Sequence, residues 1–180
     1  MNKDIFPLII SSTAKLRPFR HEDAASLAQH ANNPNIAKSL NDGFPEPYTL
    51  DDARDFILRM KQDYPAKVLA IEVDGEVCGA IGVFPQQNVQ RLNAELGYWL
   101  SETYWGKGIT SAAVKLVLKY AFAYFDIIRI YARPFPFNRA SQRVLEKAGF
   151  KLEATIKNGL IKNNTIYDEL IYSFLKEDIA

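Results

Sequence analysis

Trp105-Gly106-Lys107-Gly108-Ile109-Thr110 opens the longest amphipathic helical pattern in this chain of 180 residues. Downstream of it Ile109, Ala112, Ala113, Leu116, Val117, Tyr120 and Tyr124 recur at spacings of three and four, which is the apolar stripe of a helix. Upstream, residues 93–100 read as a strand, and residues 127–132 form a β-branched strand directly after the helix. Strand, helix and strand in that order imply a locally parallel, right-handed crossover. Gly106 and Gly108 let backbone N–H groups approach a ligand closely. The first helical turn that follows has unpaired donors and the positive end of the helix dipole, so the segment is a candidate phosphate cradle. A bare Gly-x-Gly describes a tight turn with no ligand equally well.

Working outward, residues 14–18 form a short first strand and a helix runs from about 22 to 31, stopping before Asn32, Asn33 and Pro34. The loop 41–48, with Gly43, Pro45 and Pro47, cannot be regular and is long enough to form a functional lip. Thr49 and Asp52 make a capping-box pair, and Ala53, Phe56, Ile57 and Met60 follow at helical spacing from about Leu50. Residues 68–73, the Asp74-Gly75 turn and residues 77–84 read as a hairpin, which 93–100 extends to three antiparallel strands. Asn138 is placed to cap a helix that ends near Ala148, with Gly149 as its C-terminal cap. Residues 150–157, a turn at Asn158-Gly159 and the alternating segment 166–175 complete the sheet. The expected architecture is α+β, a mixed and mostly antiparallel sheet with helices on both faces, in one domain spanning 1–180.

Composition narrows the function. Lysine and arginine number 22 against 21 acidic residues, a formal charge of +1, so no bulk field draws nucleic acid or anionic lipid. One cysteine, Cys78, and two histidines, His21 and His30, exclude a Cys/His metal cluster and an internal disulfide. The apolar run 5–10 is too short for a signal peptide or a membrane span and is broken by Pro7, so the expected location is the cytoplasm. Two familiar nucleotide loops fail. A Rossmann fingerprint needs an acidic residue ending the next strand, whereas Asp126 precedes it, and a Walker loop needs Ser or Thr where Gly108 follows Lys107.

Four stretches in order, Ala94-Glu95-Leu96-Gly97-Tyr98-Trp99-Leu100, Tyr104 to Thr110, Asn138-Arg139-Ala140-Ser141 and Lys147-Ala148-Gly149-Phe150, closely resemble the GNAT acyl-CoA N-acyltransferases. Within them the chain is similar to the RimJ/RimL-like branch of ribosomal-protein N-terminal acetyltransferases. Leu16-Arg17-Pro18-Phe19-Arg20, Pro45-Glu46-Pro47-Tyr48-Thr49 and Tyr167-Asp168-Glu169-Leu170 fall in the expected order, so the likeness covers nearly the whole chain. It implies acetyl-CoA as co-substrate and no metal, in a cleft where two neighbouring strands splay apart. The pantetheine arm would run along Leu96, Tyr98, Trp99 and Leu100. The pyrophosphate would sit on the amides of Gly106, Lys107, Gly108, Ile109, Thr110 and Ser111. The superfamily pattern of Gln or Arg, two residues, Gly, one residue, and Gly or Ala is met here by Trp105 at its first position and Thr110 at its last.

Amine acetylation needs a proton acceptor for the attacking amine and a donor for the departing thiolate. Glu95, on the strand that by resemblance lines the cleft, is the candidate base, with a solvated strand residue as the alternative. Many GNAT enzymes carry a tyrosine acid where this chain has Leu145. Ser141, one turn after Asn138, is the substitute, or else a second polar group touching CoA. Asn138 caps its helix and, by resemblance, contacts the CoA arm. Phe44 and Tyr48 on the Pro-rich lip are candidates for the acceptor side, Tyr48 equally as a hydrophobic staple. Phe135 and Phe137 either wall the cleft or close the core. Cys78 reads as a buried apolar group and the histidines as surface or capping residues. Glu46 and the Asp168-Glu169 pair are the acidic lip candidates.

The implied activity is acetyl transfer to a primary amine, with a protein N-terminus as the leading acceptor. The alternatives are a small-amine or polyamine acetyltransferase and a CoA-binding module without turnover. No nucleic-acid or membrane partner is expected, and a homodimer is left open.

Overall fold

A computed structural model describes residues 5–60 and 64–179; the expected domain of 1–180 thus includes a few residues outside the described ones. Among these residues eight strands form a single sheet: β1 (Leu8–Ile9), β2 (Ala14–Arg17), β3 (Val68–Val73), β4 (Glu76–Pro85), β5 (Asn93–Leu100), β6 (Arg129–Ala132), β7 (Lys151–Lys162) and β8 (Thr165–Leu175). Their spatial order is β1-β2-β3-β4-β5-β6-β8-β7. The contact between β5 and β6 is parallel and all the others are antiparallel, which is the mixed, mostly antiparallel sheet expected. Among the described residues five α-helices cover it: α1 (Ala24–Ala31), α2 (Pro34–Ala37), α3 (Leu50–Met60), α4 (Ile109–Tyr124) and α5 (Arg139–Ala148).

Strand alternation divides the core between the two faces. On β5, Ala94, Leu96 and Leu100 join Ala113, Val114 and Val117 of α4 and Leu145 of α5 in one cluster. The opposite face buries Leu27 of α1, Ala53 and Ile57 of α3, and Tyr48, with Trp99 packed against them. The β3–β4 hairpin turns through Asp74 and Gly75, both at positive φ, as an Asp-Gly pair favours.

Two local departures from the sequence reading have clear causes. Asn158-Gly159 does not turn the chain. Strand β7 continues through it with an irregularity between Ile156 and Leu160, where three residues on β7 stand against the single Asp168 between Glu169 and Tyr167 on β8. The Asn158 N–H donates to Asp168 Oδ1 at 3.0 Å, and a Cβ on Gly159 would lie 2.8 Å from that of Glu169, so this bulge also needs glycine. The hairpin instead turns at Asn163-Asn164, with φ of 49° and 60°. The Asn32-Asn33-Pro34 stop is followed at once by α2, because Asn33 Oδ1 accepts from the Asn35 N–H at 2.8 Å and Pro34 suits a first helical position.

Candidate active site

The site is built where β5 changes partners. Along its whole length β5 pairs with β4, from Gly79 opposite Leu100 to Pro85 opposite Ala94. It pairs with β6 only from Asn93 to Glu95. Leu96 to Leu100 therefore border a gap on the β6 side. At its far end the Trp105 indole N–H donates to the Leu100 carbonyl at 2.7 Å, pinning the glycine loop to the strand.

That loop ends in the start of α4. Gly106 and Gly108 have φ of 75° and 78°, the left-handed region, and a Cβ built on either meets nothing within 4 Å. Gly108 is the N-cap of a 16-residue helix and provides no side-chain cap, so the first-turn amides of Ile109, Thr110 and Ser111 are left without one. Lys107 lies with its ammonium 5.0 Å from the centroid of the Tyr104 ring. On the other flank of the gap, Asn138 Oδ1 accepts from the Ser141 N–H at 3.0 Å and caps α5. Gln142 is buried and donates to the carbonyls of Phe135 and Pro136, tying the preceding loop to that helix. Phe135 and Phe137 stack at 5.0 Å, and Phe137, still partly exposed, packs edge-on against Tyr167.

The side chains of β5 diverge from there. Tyr98 points to the α4 and α5 face, where its hydroxyl meets Ser141 Oγ at 2.8 Å. Burial pushes its phenol well above the ordinary range. Trp99 points to the opposite face and meets Phe44 edge-on, with ring centroids 6.1 Å apart. There the loop 41–48, α3 and β4–β5 enclose a cavity of about 340 Å³, lined by Phe44, Tyr48, Phe56, Phe84 and Trp99, with Asp52, Asp55 and Arg59 contributed by α3. Its floor is Gly82 and Gly97, paired across β4 and β5, with the Phe84 ring lying over them. Tyr48 is only 6% exposed, stacks near Phe44 at 5.0 Å, and lies in the core cluster with Ala53, which satisfies the staple reading as well as the cavity-wall one.

Glu95 shares the face of Gly97 and Trp99 but does not line the cavity. Arg133 grips it with two bonds of 2.9 Å, Nε to Oε1 and Nη2 to Oε2, and reaches Glu169 at 3.1 Å with Nη1. The Glu95 hydrogen bonds, working against burial, raise the guanidinium pKa further. The Asp168-Glu169 pair is thus occupied within the sheet, Asp168 at the bulge and Glu169 on Arg133, and Glu46 lies at a separate depression beside Pro34 and Pro45.

Cys78 is fully buried, and burial pushes its thiol up to about 12, which leaves it protonated and without nucleophilic character. His21 is exposed, as expected, but the His30 side chain is largely covered: its Nδ1 lies 2.9 Å from Ser101 Oγ, and its buried Nε2 lies 3.6 Å from the Glu76 carboxylate. Sequence reasoning also missed Arg133, Phe84 and the role of the Trp99 ring. Arg133 and Phe84 carry no motif, and strand alternation alone separates Trp99 from Tyr98. Among the described residues no group of three His, Cys, Asp or Glu side chains is placed to hold a metal, and no helix is long and apolar enough to cross a membrane.

A mixed sheet that opens between two parallel strands, beside a glycine-led helix with no side-chain cap, defines an acyltransferase frame. Residues 14–151 match the acetyltransferase (GNAT) domain, and the chain belongs to that family of N-acetyltransferases. A protein of Bacillus subtilis (strain 168) provisionally named ribosomal N-acetyltransferase YdaF is 35% identical over 58% of this chain, a match spanning 57% of that protein's own length. The spermidine N(1)-acetyltransferase of Escherichia coli (strain K12) is 27% identical over 84% of this chain and 80% of that protein. Mycobacterium smegmatis RimJ in complex with CoA-disulfide superposes with a TM-score of 0.78 at 25% identity, over 92% of this chain and 83% of that one.

Proposed function

We propose that the chain transfers the acetyl group of acetyl-CoA to a primary amine in a ternary complex, with a peptide N-terminus as the acceptor class. The observation that carries this reading is the gap beside Leu96–Leu100, which ends on the uncapped N-terminus of α4. The glycine loop fits a pyrophosphate: both glycines hold open, left-handed backbone, and the amides of Ile109, Thr110 and Ser111 offer donors with the helix dipole behind them. The edge of β5 from Leu96 to Leu100 suits an amide-bearing pantetheine arm, and Asn138 stands across the gap. That the RimJ neighbour is in complex with CoA-disulfide supports CoA as the ligand class.

The cavity on the opposite face of β5 supports the acceptor reading. Its walls are largely aromatic, with Phe44, Phe84 and Trp99 able to hold the apolar part of an acceptor, while Asp52 and Asp55 attract an ammonium. Arg59 on the same helix offsets the two carboxylates, which favours a peptide terminus over a polyamine. The spermidine acetyltransferase relative and that acidic pair favour the polyamine as the second reading. Glu95, aligned by Arg133, is the candidate proton acceptor through water, and Ser141 the candidate donor to the thiolate. The cytoplasm is the compartment in which this reaction would run, and a homodimer is compatible with it.

The test is release of CoA thiol from acetyl-CoA, with mass detection of product, across a library of N-terminal peptides, spermidine and small amines. Acetylated peptides at rates at least about tenfold above spermidine support the leading reading. Spermidine as the preferred acceptor supports the second. CoA binding without acceptor-dependent thiol release opposes both.

A further inference from the structure

Helix α5 enters the cleft with Ser141 on its first turn, whereas Leu145, one turn later, is fully buried in the core and offers no hydroxyl. Tyr98 meets that serine from the stretch of β5 that lacks a β6 partner. We propose that Tyr98 is a positioning residue for the departure of CoA thiolate, its hydroxyl donating to Ser141 Oγ and turning the serine's own hydrogen into the cleft. This inference rests on the placement of the CoA arm along Leu96–Leu100.

Each hydroxyl carries a single hydrogen, so two hydroxyls in contact must divide the roles. The Tyr98 Oη contact with Ser141 Oγ is 2.8 Å, at the most frequent O–H···O length, whereas its contact with the Ser141 carbonyl is 3.3 Å and beyond the normal range. The 2.8 Å contact allows either hydroxyl to donate, and we take the tyrosine hydrogen to lie on Oγ, the better placed of its two acceptors. Burial strongly disfavours the phenolate, so Tyr98 keeps a proton to donate across the working pH range. The Asn138 cap fixes the Ser141 backbone, so the oxygen that Tyr98 addresses has a defined place.

In the transfer step the acceptor nitrogen forms a bond to the thioester carbonyl carbon, the C–S bond breaks, and its electron pair leaves on sulfur. The Ser141 Oγ hydrogen moves to sulfur as Oγ takes up a proton from water, and the Tyr98 hydrogen bond holds Oγ in line for both transfers. The proton shed by the amine passes to that water, so one proton leaves nitrogen, one reaches sulfur, and Ser141 ends neutral.

Tyr98→Phe and Ser141→Ala are to be compared using acetyl-CoA and acetyl-seleno-CoA as donors, because a selenolate leaves without needing a proton. With acetyl-CoA, Tyr98→Phe is expected to lower kcat on the order of 10-fold to 100-fold, with KM for acetyl-CoA within about threefold of the parent. With the selenoester the loss should shrink to under about threefold, because general-acid help is no longer required. The double variant should be no slower than Ser141→Ala, since the tyrosine acts through the serine. Equal losses with both donors, or multiplicative losses in the double variant, would assign Tyr98 a packing role and overturn the inference. Parent protein that fails to bind CoA would overturn the placement of the arm itself. Normal CoA binding and turnover with an unaltered Tyr98→Phe would overturn only the role of Tyr98.

Discussion

Helices α3 and α4 cover opposite faces of one sheet and begin in opposite ways. At α3 the Thr49 N–H and hydroxyl both reach Asp52 Oδ2, at 2.8 and 2.6 Å, and Thr49 Oγ1 accepts from the Asp52 N–H at 3.2 Å. The Thr49 hydrogen bonds hold the Asp52 carboxyl below its usual range. At α4 the corresponding place is Gly108, in left-handed backbone, with no side chain to offer. The α3 terminus is completed by its own sequence. The α4 terminus presents its donors outward, at the end of the gap beside β5. The comparison teaches that a helix start lacking its own acceptor, when it borders a strand edge also lacking a partner, leaves donors to which the proposed function assigns an anionic ligand.

The largest expected effect breaks the α4 side of that comparison. Gly108→Val should weaken CoA binding by about 100-fold or more, the loss of at least two charge-assisted amide bonds. Because φ is 78° there, valine also strains the backbone, so Gly108→Asn, which tolerates the left-handed region, is the informative partner. Titration calorimetry should show Gly108→Asn closer to the parent if strain dominates, and equally weak if the side chain obstructs the ligand. Next, Glu95→Gln should lower kcat on the order of 10²-fold while leaving CoA affinity intact, and a loss below about threefold would make Glu95 a bystander tethered to Arg133.

A smaller effect belongs to the capped helices. Thr49→Ala and Asn138→Ala should each cost about 1 kcal/mol. The drop in Tm should be on the order of 2–4 °C. Thr49→Ala should leave CoA affinity unchanged in calorimetry, whereas a tenfold loss there would dissolve the contrast between the two termini. The smallest effect is at Cys78. With its thiol pushed up to about 12 by burial, the thiolate is scarce at every pH up to about 10, so iodoacetamide should neither label nor inactivate native protein in that range, and Cys78→Ser should keep its kcat within about threefold.

How much of this was legible in the sequence follows from what kind of signal each part carries. The α4 stripe, the Asp74-Gly75 turn, the Thr49 box and the Asn138 cap are local patterns, and each lies where the residues placed it. Asn158-Gly159 has the composition of a hairpin turn, yet strand pairing with Glu169 and Tyr167 carried the chain through it, a contest between local and long-range pairing that one segment cannot decide. The opening between β5 and β6 came from resemblance rather than from composition, because the length of a strand pairing is written in no single stretch. Arg133 on Glu95 and Tyr98 on Ser141 each join residues about forty positions apart, so only the folded sheet brings them together. The separation of Tyr98 and Trp99 onto opposite faces follows from alternation, which a reading of β5 as one continuous CoA edge does not use.

The central claim is that the first turn of α4 receives the ligand and the first turn of α3 does not. An amide-resolved ¹⁵N NMR titration with CoA tests it in one experiment. The account predicts that the largest shifts fall on Gly106, Gly108, Ile109, Thr110 and Ser111, while the amides of Leu50 to Ala53 stay unmoved. Shifts concentrated in the α3 turn, or a saturating titration that leaves residues 106–111 unshifted, would contradict it.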